Sequence, residues 1–166
     1  MLFRSAFLAA TLCLALFCAH PAQAEAPRTL IQQGERFLAM GKYPAALARY
    51  SKVIECCAGT IEASEAHNDI GVVHARQGNM NLAIAQYEAA LQGVPFPLAH
   101  FNLGKALTDK FRESGDEDVK KKALFHLQTF QTYLTTAEKL PPAVNCQRAE
   151  IEAFLAASIE FLIEKK

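Results

Sequence analysis

Apolar residues recur along most of the chain at intervals of three and four, which is the spacing of one face of an α-helix. This pattern predicts helices at about 27–40, 43–56, 61–77 and 81–92, with glycine or proline at their ends. A longer helical unit follows, and the pattern predicts that a charged loop interrupts it. After Pro141 and Pro142 a last helix is predicted at about 143–164. The pattern therefore predicts an all-α chain.

A short set of residues recurs within these predicted helices. The set reappears 37 residues later, and a partial third copy begins with Gly104, which lies 33 residues after Gly71. Repetition at this period is typical of stacked helical hairpins, in which each hairpin buries its apolar face against its neighbours. The matching residues are Gly34, Gly41, Ala46 and Tyr50 in the first copy and Gly71, Gly78, Ala83 and Tyr87 in the second.

The copies resemble the tetratricopeptide repeat family. The second copy carries the residues of the family's consensus best, with Ile70, Gly71, Ala83, Tyr87, Ala90 and Pro95. The resemblance implies a right-handed superhelical stack of about three hairpins with a C-terminal capping helix at about 143–164. The repeats would span about 27–60, 64–96 and 97–138.

The third copy departs from the family pattern. Gly104 and Ala123 lie 19 residues apart, whereas the corresponding family positions are 12 apart, so seven residues are inserted. We expect a charged loop at 112–118, within a charged insertion at 112–122, where the turn of a regular hairpin is missing.

The first 24 residues have the layout of a cleavable secretory signal. Arg4 precedes an apolar run at 6–19, and the small residues of Ala22-Gln23-Ala24 follow. We expect cleavage after Ala24, a repeat domain at 25–166, a periplasmic or secreted location, and no stable membrane span after cleavage. An uncleaved membrane anchor is the alternative.

Composition and charge exclude few classes of function. The chain balances 17 basic against 17 acidic residues, which gives no support to nucleic acid as a partner, because phosphate binding needs a basic field. Three cysteines follow the predicted signal, Cys56, Cys57 and Cys146. We expect small buried apolar residues, with an intermolecular disulfide as the alternative.

No residue pattern indicates catalysis. His67 and His74 lie two helical turns apart, too far to share one metal ion directly, and His126 has no evident partner. The histidines are expected to pack as aromatic residues do at these repeat positions. We find no nucleophile motif, phosphate loop or metal-ligand pair, so we expect no enzyme, no cofactor and no metal.

The resemblance places the candidate site on a concave groove lined by the first helix of each hairpin. The sixth repeat position reads Gln32, Asp69 and Asn102, which resembles the amide ladder that some family members use to hold an extended peptide. Phe101 is a candidate hot spot, and its packing into the core is the alternative. The predicted partner-binding residues are Gln32, Glu35, Asn68, Asp69, Arg76, Phe101, Asn102 and Lys105.

These features predict a scaffold that binds an extended segment of an unidentified partner protein in the cell envelope. One alternative is an assembly role, in which the last helix or the inserted segment mediates homo-oligomerisation. Another is a chaperone similar to the small repeat chaperones of type III secretion, which lack a signal peptide.

Overall fold

The computed structural model describes residues 25–165, and this part of the chain is helical without a strand. The predicted all-α fold is confirmed, and the helices of the first two hairpins end within two residues of their predicted positions. The predicted signal at 1–24 lies outside the described residues. The helices are α1 Pro27–Ala39, α2 Tyr43–Cys56, α3 Ile61–Arg76, α4 Met80–Ala90, α5 Pro97–Ser114, α6 Glu117–Thr136, α7 Pro142–Cys146 and α8 Arg148–Glu164.

The first six helices form three hairpins that stack in chain order. Each odd-numbered helix packs against the next even-numbered helix, and α2 and α4 pack against the first helix of the following hairpin. In addition, α1 contacts α3 and α3 contacts α5. The three first helices therefore form one continuous surface, which we call the inner wall.

The repeated glycines let the two helices of each hairpin approach closely. A methyl group added at Gly34 would overlap the ring of Tyr50, and one added at Gly71 would lie 2.5 Å from Cε1 of Tyr87. Both tyrosines are buried. The third hairpin uses Gly104 against Leu127 in the same way, which explains why these positions recur together.

The predicted charged loop at 112–118 is wrong, because α5 continues to Ser114 and α6 begins at Glu117. The third hairpin turns at Gly115, whose φ of 66° matches the left-handed φ of 69° and 78° at Gly41 and Gly78 in the other two turns. Four of the inserted residues lengthen the end of α5 and three lengthen the start of α6. Each addition is close to one helical turn of 3.6 residues, so both helices keep their buried faces.

Local charge pairs explain why this segment is helical despite its polarity. The Asp116 side chain accepts hydrogen bonds from the backbone N–H groups of Asp118 and Val119, which caps α6. Lys120 then pairs with Glu117 at 3.0 Å, one turn apart on the helix surface. A charge run indicated a solvated surface here and did not distinguish a loop from an exposed helix end.

The predicted last helix is interrupted. It begins as the short α7, breaks at Gln147 and resumes as α8, which packs against α6 and α5. Leu155 and Leu162 on α8 are buried. The lengthened end of α5 contributes to this packing, because Phe111 contacts Phe161 edge to face with ring centroids 6.1 Å apart. The insertion therefore enlarges the surface that α8 covers.

The cysteines do not lie where the sequence suggested. Cys56 and Cys146 are exposed, so the expectation of buried apolar packing is wrong for both. Cys56 and Cys57 form a disulfide between adjacent residues at the end of α2. Cys146 carries a free thiol on α7.

Candidate functional site

The inner wall carries every predicted partner-binding residue. They are Gln32 and Glu35 on α1, Asn68, Asp69 and Arg76 on α3, and Phe101, Asn102 and Lys105 on α5. Repeat position thus placed them on the intended helices, and their part in binding stays a prediction. The structure adds which of them contact one another.

A hydrogen bond between two asparagines joins α5 to α3, and a second bond within α3 extends it to an aspartate. The Asn102 amide donates a hydrogen bond of 2.8 Å to Oδ1 of Asn68, and the Asn68 amide donates one of 3.2 Å to Oδ1 of Asp69. Asn68 is only 1% exposed, so this bond satisfies a polar group that would otherwise be buried alone. Gln32 is exposed on α1 and lies outside this chain of bonds.

A groove cavity of about 390 Å³ lies in front of these residues. Helix α3 and α5 form one side of it, and α7 with the start of α8 forms the other. Asp69 and Asn102 face it from the polar network, while Val144 and Ile151 contribute the far side. Five predicted site residues line this one cavity, namely Asn68, Asp69, Arg76, Phe101 and Asn102.

Phe101 is half-buried and engaged by neighbouring rings. Its ring centroid lies 5.2 Å from that of Phe130 and 5.5 Å from that of Phe154 on α8. This is the core packing that the alternative described, and Phe101 nevertheless lines the groove cavity. The residue therefore joins α8 to the inner wall and forms part of the groove floor.

An adjoining cavity of about 400 Å³ has one acidic side and one apolar side, and we call it the acidic cavity. Charged residues of α1 and α3 form the acidic side. Phe96, Leu98 and Tyr133 contribute to the apolar side, together with Pro141. The charged lining residues are Arg28, Glu35, Glu65 and Asp69.

The acidic cavity has fewer cations than carboxylates. Arg28 pairs with Glu65 at 2.7 Å and with Glu62 at 3.6 Å. Burial raises the pKa of the Glu65 carboxyl, while its contact with Arg28 lowers it. Glu35 and Asp69 form no ion pair within residues 25–165.

Asp69 is the most perturbed carboxyl in this cavity. Burial raises its pKa to about 7, the charges of Glu65 and Glu35 add to this, and the Asn68 amide opposes it. The carboxyl therefore exchanges its proton near neutral pH, where a bound cation would remove it.

A third cavity of about 450 Å³ continues the wall toward the hairpin turns. Arg76 and Lys105 lie on its rim with Asp109, and Met80 and Tyr87 contribute apolar surface. Lys105 also lies 5.8 Å from the ring centroid of Phe154. This end of the wall is basic, whereas the α1 end is acidic.

Sequence reasoning missed several groove residues. The second position of the three repeats reads Arg28, Glu65 and Leu98, and the family places this position on the groove. The repeat register could therefore have identified these three residues. Val144 and Gln147 belong to no repeat, and only the course of α7 shows that they face the groove.

His126 has a partner that the sequence did not suggest. Its Nδ1 lies 2.8 Å from Nδ1 of His100 on α5, so at least one of the two rings must be neutral. Burial, the His100 charge and the Lys122 charge lower the pKa of His126 to about 4. Burial also lowers the pKa of His100.

Within residues 25–165 no three His, Cys, Asp or Glu side chains are arranged to hold a metal ion. In the same range no helix combines the length and apolarity needed to cross a bilayer.

The comparisons with known proteins agree with the helical repeats. Residues 31–97 match a family model described as a tetratricopeptide repeat. This segment belongs to the tetratricopeptide repeat family. No curated protein sequence matches the chain significantly.

A solved structure extends the likeness beyond these repeats. The type III secretion chaperone SycD of Yersinia enterocolitica, in complex with a peptide of the translocator YopD, aligns with a TM-score of 0.62 at 18% identity. The alignment covers 84% of this chain and 94% of that chain. At this identity the likeness shows a shared fold, which here includes helices outside the matched tetratricopeptide repeats.

Proposed function

We propose that this tetratricopeptide repeat protein is a non-enzymatic scaffold that binds an extended segment of a partner protein along the inner wall. The observation that carries the proposal is the row of three cavities along α1, α3 and α5, since adjacent cavities suit successive side chains of an extended chain. The half-buried Asn102 and Asp69 between them offer a donor and an acceptor to peptide groups.

The solved neighbour supports this use of the fold. SycD was crystallised with a peptide of another protein, and nearly its whole length aligns with this chain. By analogy of fold alone, a groove formed by stacked hairpins is a suitable peptide site.

The location follows from the predicted signal at 1–24. The scaffold would then act in the periplasm or outside the cell, and proteolysis of tagged protein in intact spheroplasts tests this. Digestion by added protease supports export, and protection until lysis contradicts it. A protected protein would favour the second candidate, a cytoplasmic chaperone with the fold of SycD.

Site-specific crosslinking tests the binding surface. A photoreactive amino acid replaces Lys105, which is exposed on the inner wall, and in a parallel strain replaces Glu88, which is exposed on α4. We expect irradiation to give covalent adducts with another polypeptide from position 105 and few from position 88. Asn102→Ala, introduced with the position-105 probe, should reduce the adduct.

Two results would contradict the scaffold. Equal adduct formation at both positions would remove the inner wall as the binding surface. Adducts that contain only a second copy of this chain would replace the proposal with the assembly role.

A further inference from the structure

The acidic cavity has a composition that selects one kind of side chain. We infer that it takes a lysine or arginine of the bound segment, with an aliphatic or aromatic neighbour of that residue against Phe96 and Tyr133. The inference rests on the proposed groove binding and adds the chemistry of the partner segment.

Charge is the first reason. The single cation at the cavity, Arg28, is already paired with Glu65 and reaches Glu62. Two carboxylates on facing helices, Glu35 on α1 and Asp69 on α3, remain without a cation in the described chain. A guest ammonium or guanidinium would complete these pairs, and an anionic guest would be repelled.

The buried Tyr50 experiences the same excess of negative charge. It is 0% exposed and does not line the cavity. Burial raises the pKa of its hydroxyl, and the charges of Asp69, Glu35 and Glu65 raise it further, so the hydroxyl lies beside these carboxylates. The three carboxylates therefore act together on a neighbouring group, as they would on a guest cation.

The shape of the cavity fits the same guest. A lysine ammonium has three N–H donors, and the Asp69 and Glu35 carboxylates that line the cavity can accept them. The aliphatic stem of the guest would lie along the apolar side formed by Leu98 and Tyr133. The basic rim at Arg76 and Lys105 then sets the direction of the segment, with its basic residue toward α1.

Panning of random linear dodecapeptides displayed on phage tests the inference with the purified protein. Enriched peptides should carry lysine or arginine beside an aliphatic or aromatic residue. A synthetic enriched peptide is then compared with its norleucine counterpart by fluorescence anisotropy, and we expect about tenfold weaker binding after loss of the charge.

Protein variants locate the effect. The protein with both Glu35→Gln and Asp69→Asn should bind the lysine peptide about as weakly as the unaltered protein binds the norleucine peptide. This variant should bind the norleucine peptide with little further loss of affinity. Glu88→Gln, which removes an exposed carboxylate on α4, is the matched control and should leave affinity unchanged. Because the norleucine comparison uses the unaltered protein, it does not depend on how the variants fold.

The outcomes separate the two proposals. Groove-bound peptides without a basic preference, or full affinity in the Glu35→Gln, Asp69→Asn protein, would overturn the inference and leave the scaffold function standing. Failure to enrich any peptide would overturn the groove-binding function and this inference with it.

Discussion

Asn102 donates a hydrogen bond of 2.8 Å to Asn68, which lies 34 residues earlier in the chain. The second and third copies are offset by 33 residues, from Gly71 to Gly104, so the bond joins the fifth repeat position of α3 to the sixth of α5. It fixes α5 against α3 at the point where the groove cavity opens.

Loss of this bond should destabilise the protein. In Asn102→Ala the buried Asn68 oxygen loses its partner, and we expect the free energy of unfolding to fall by about 1–3 kcal/mol in urea titrations. The control is Lys110→Ala, which removes an exposed bond of 3.2 Å to Asn81 between α5 and α4. An equal effect of the two variants would contradict the structural role of the buried amide.

Gly71 should resist enlargement. Gly71→Ala places a methyl group 2.5 Å from the Tyr87 ring, and we expect a loss of about 1–3 kcal/mol because the packed ring must move. Alanine otherwise stabilises a helix relative to glycine, by about 1 kcal/mol, and Ala85→Gly at an exposed position of α4 measures that effect separately. Greater stability of Gly71→Ala would show that the hairpin is not closely packed there.

Asp69 should make stability depend on pH. Its pKa is 3.8 as the reference value and about 7 in the fold, so the folded protein binds the proton more tightly between these values. The contribution of Asp69 to stability should therefore fall by about 2–4 kcal/mol as pH rises from 3.8 to about 7. Urea titrations of Asp69→Asn should lack this fall, and a variant with the same profile as the parent would contradict it.

His126 should act in the opposite direction over nearly the same pH range. Its pKa falls from 6.5 to about 4 on folding, so its contribution to stability is present above 6.5 and is lost as pH falls toward 4. His126→Gln should reduce the destabilisation in this range relative to the parent protein, measured as the change in unfolding free energy. If acid destabilised the variant as much as the parent protein, the result would exclude burial of a neutral His100–His126 pair.

The sequence predicted most of the fold because the repeat carries its packing rules in a few residues. The repeated Gly71 and Tyr87 predicted a helical hairpin, and in the structure they pack against each other within it. The prediction of a loop at 112–118 was wrong because a solvated run of charged residues is compatible both with a loop and with a helix end. The four residues added to α5 and the three added to α6 follow from the position of the turn at Gly115, which the charge pattern does not indicate.

The candidate site was less predictable. The repeat register assigned residues to the inner wall. It did not show that Asn68 would be buried and hydrogen-bonded to Asn102. It also did not show that Phe101 would pack against Phe154. Those contacts depend on the stacking of separate hairpins and on the course of α7 and α8, which no repeat encodes. The acidic cavity likewise arises only when α1, α3 and the residues after Pro95 meet.

Amide chemical-shift mapping by NMR tests the central claim most directly. Titration of ¹⁵N-labelled protein with a panned peptide should perturb the inner wall, with the largest changes at Glu35, Asp69 and Asn102, and leave the exposed face of α4 at Ala85 and Glu88 unaffected. Perturbations confined to α2 and α4, or spread evenly over all helices, would contradict binding along the inner wall.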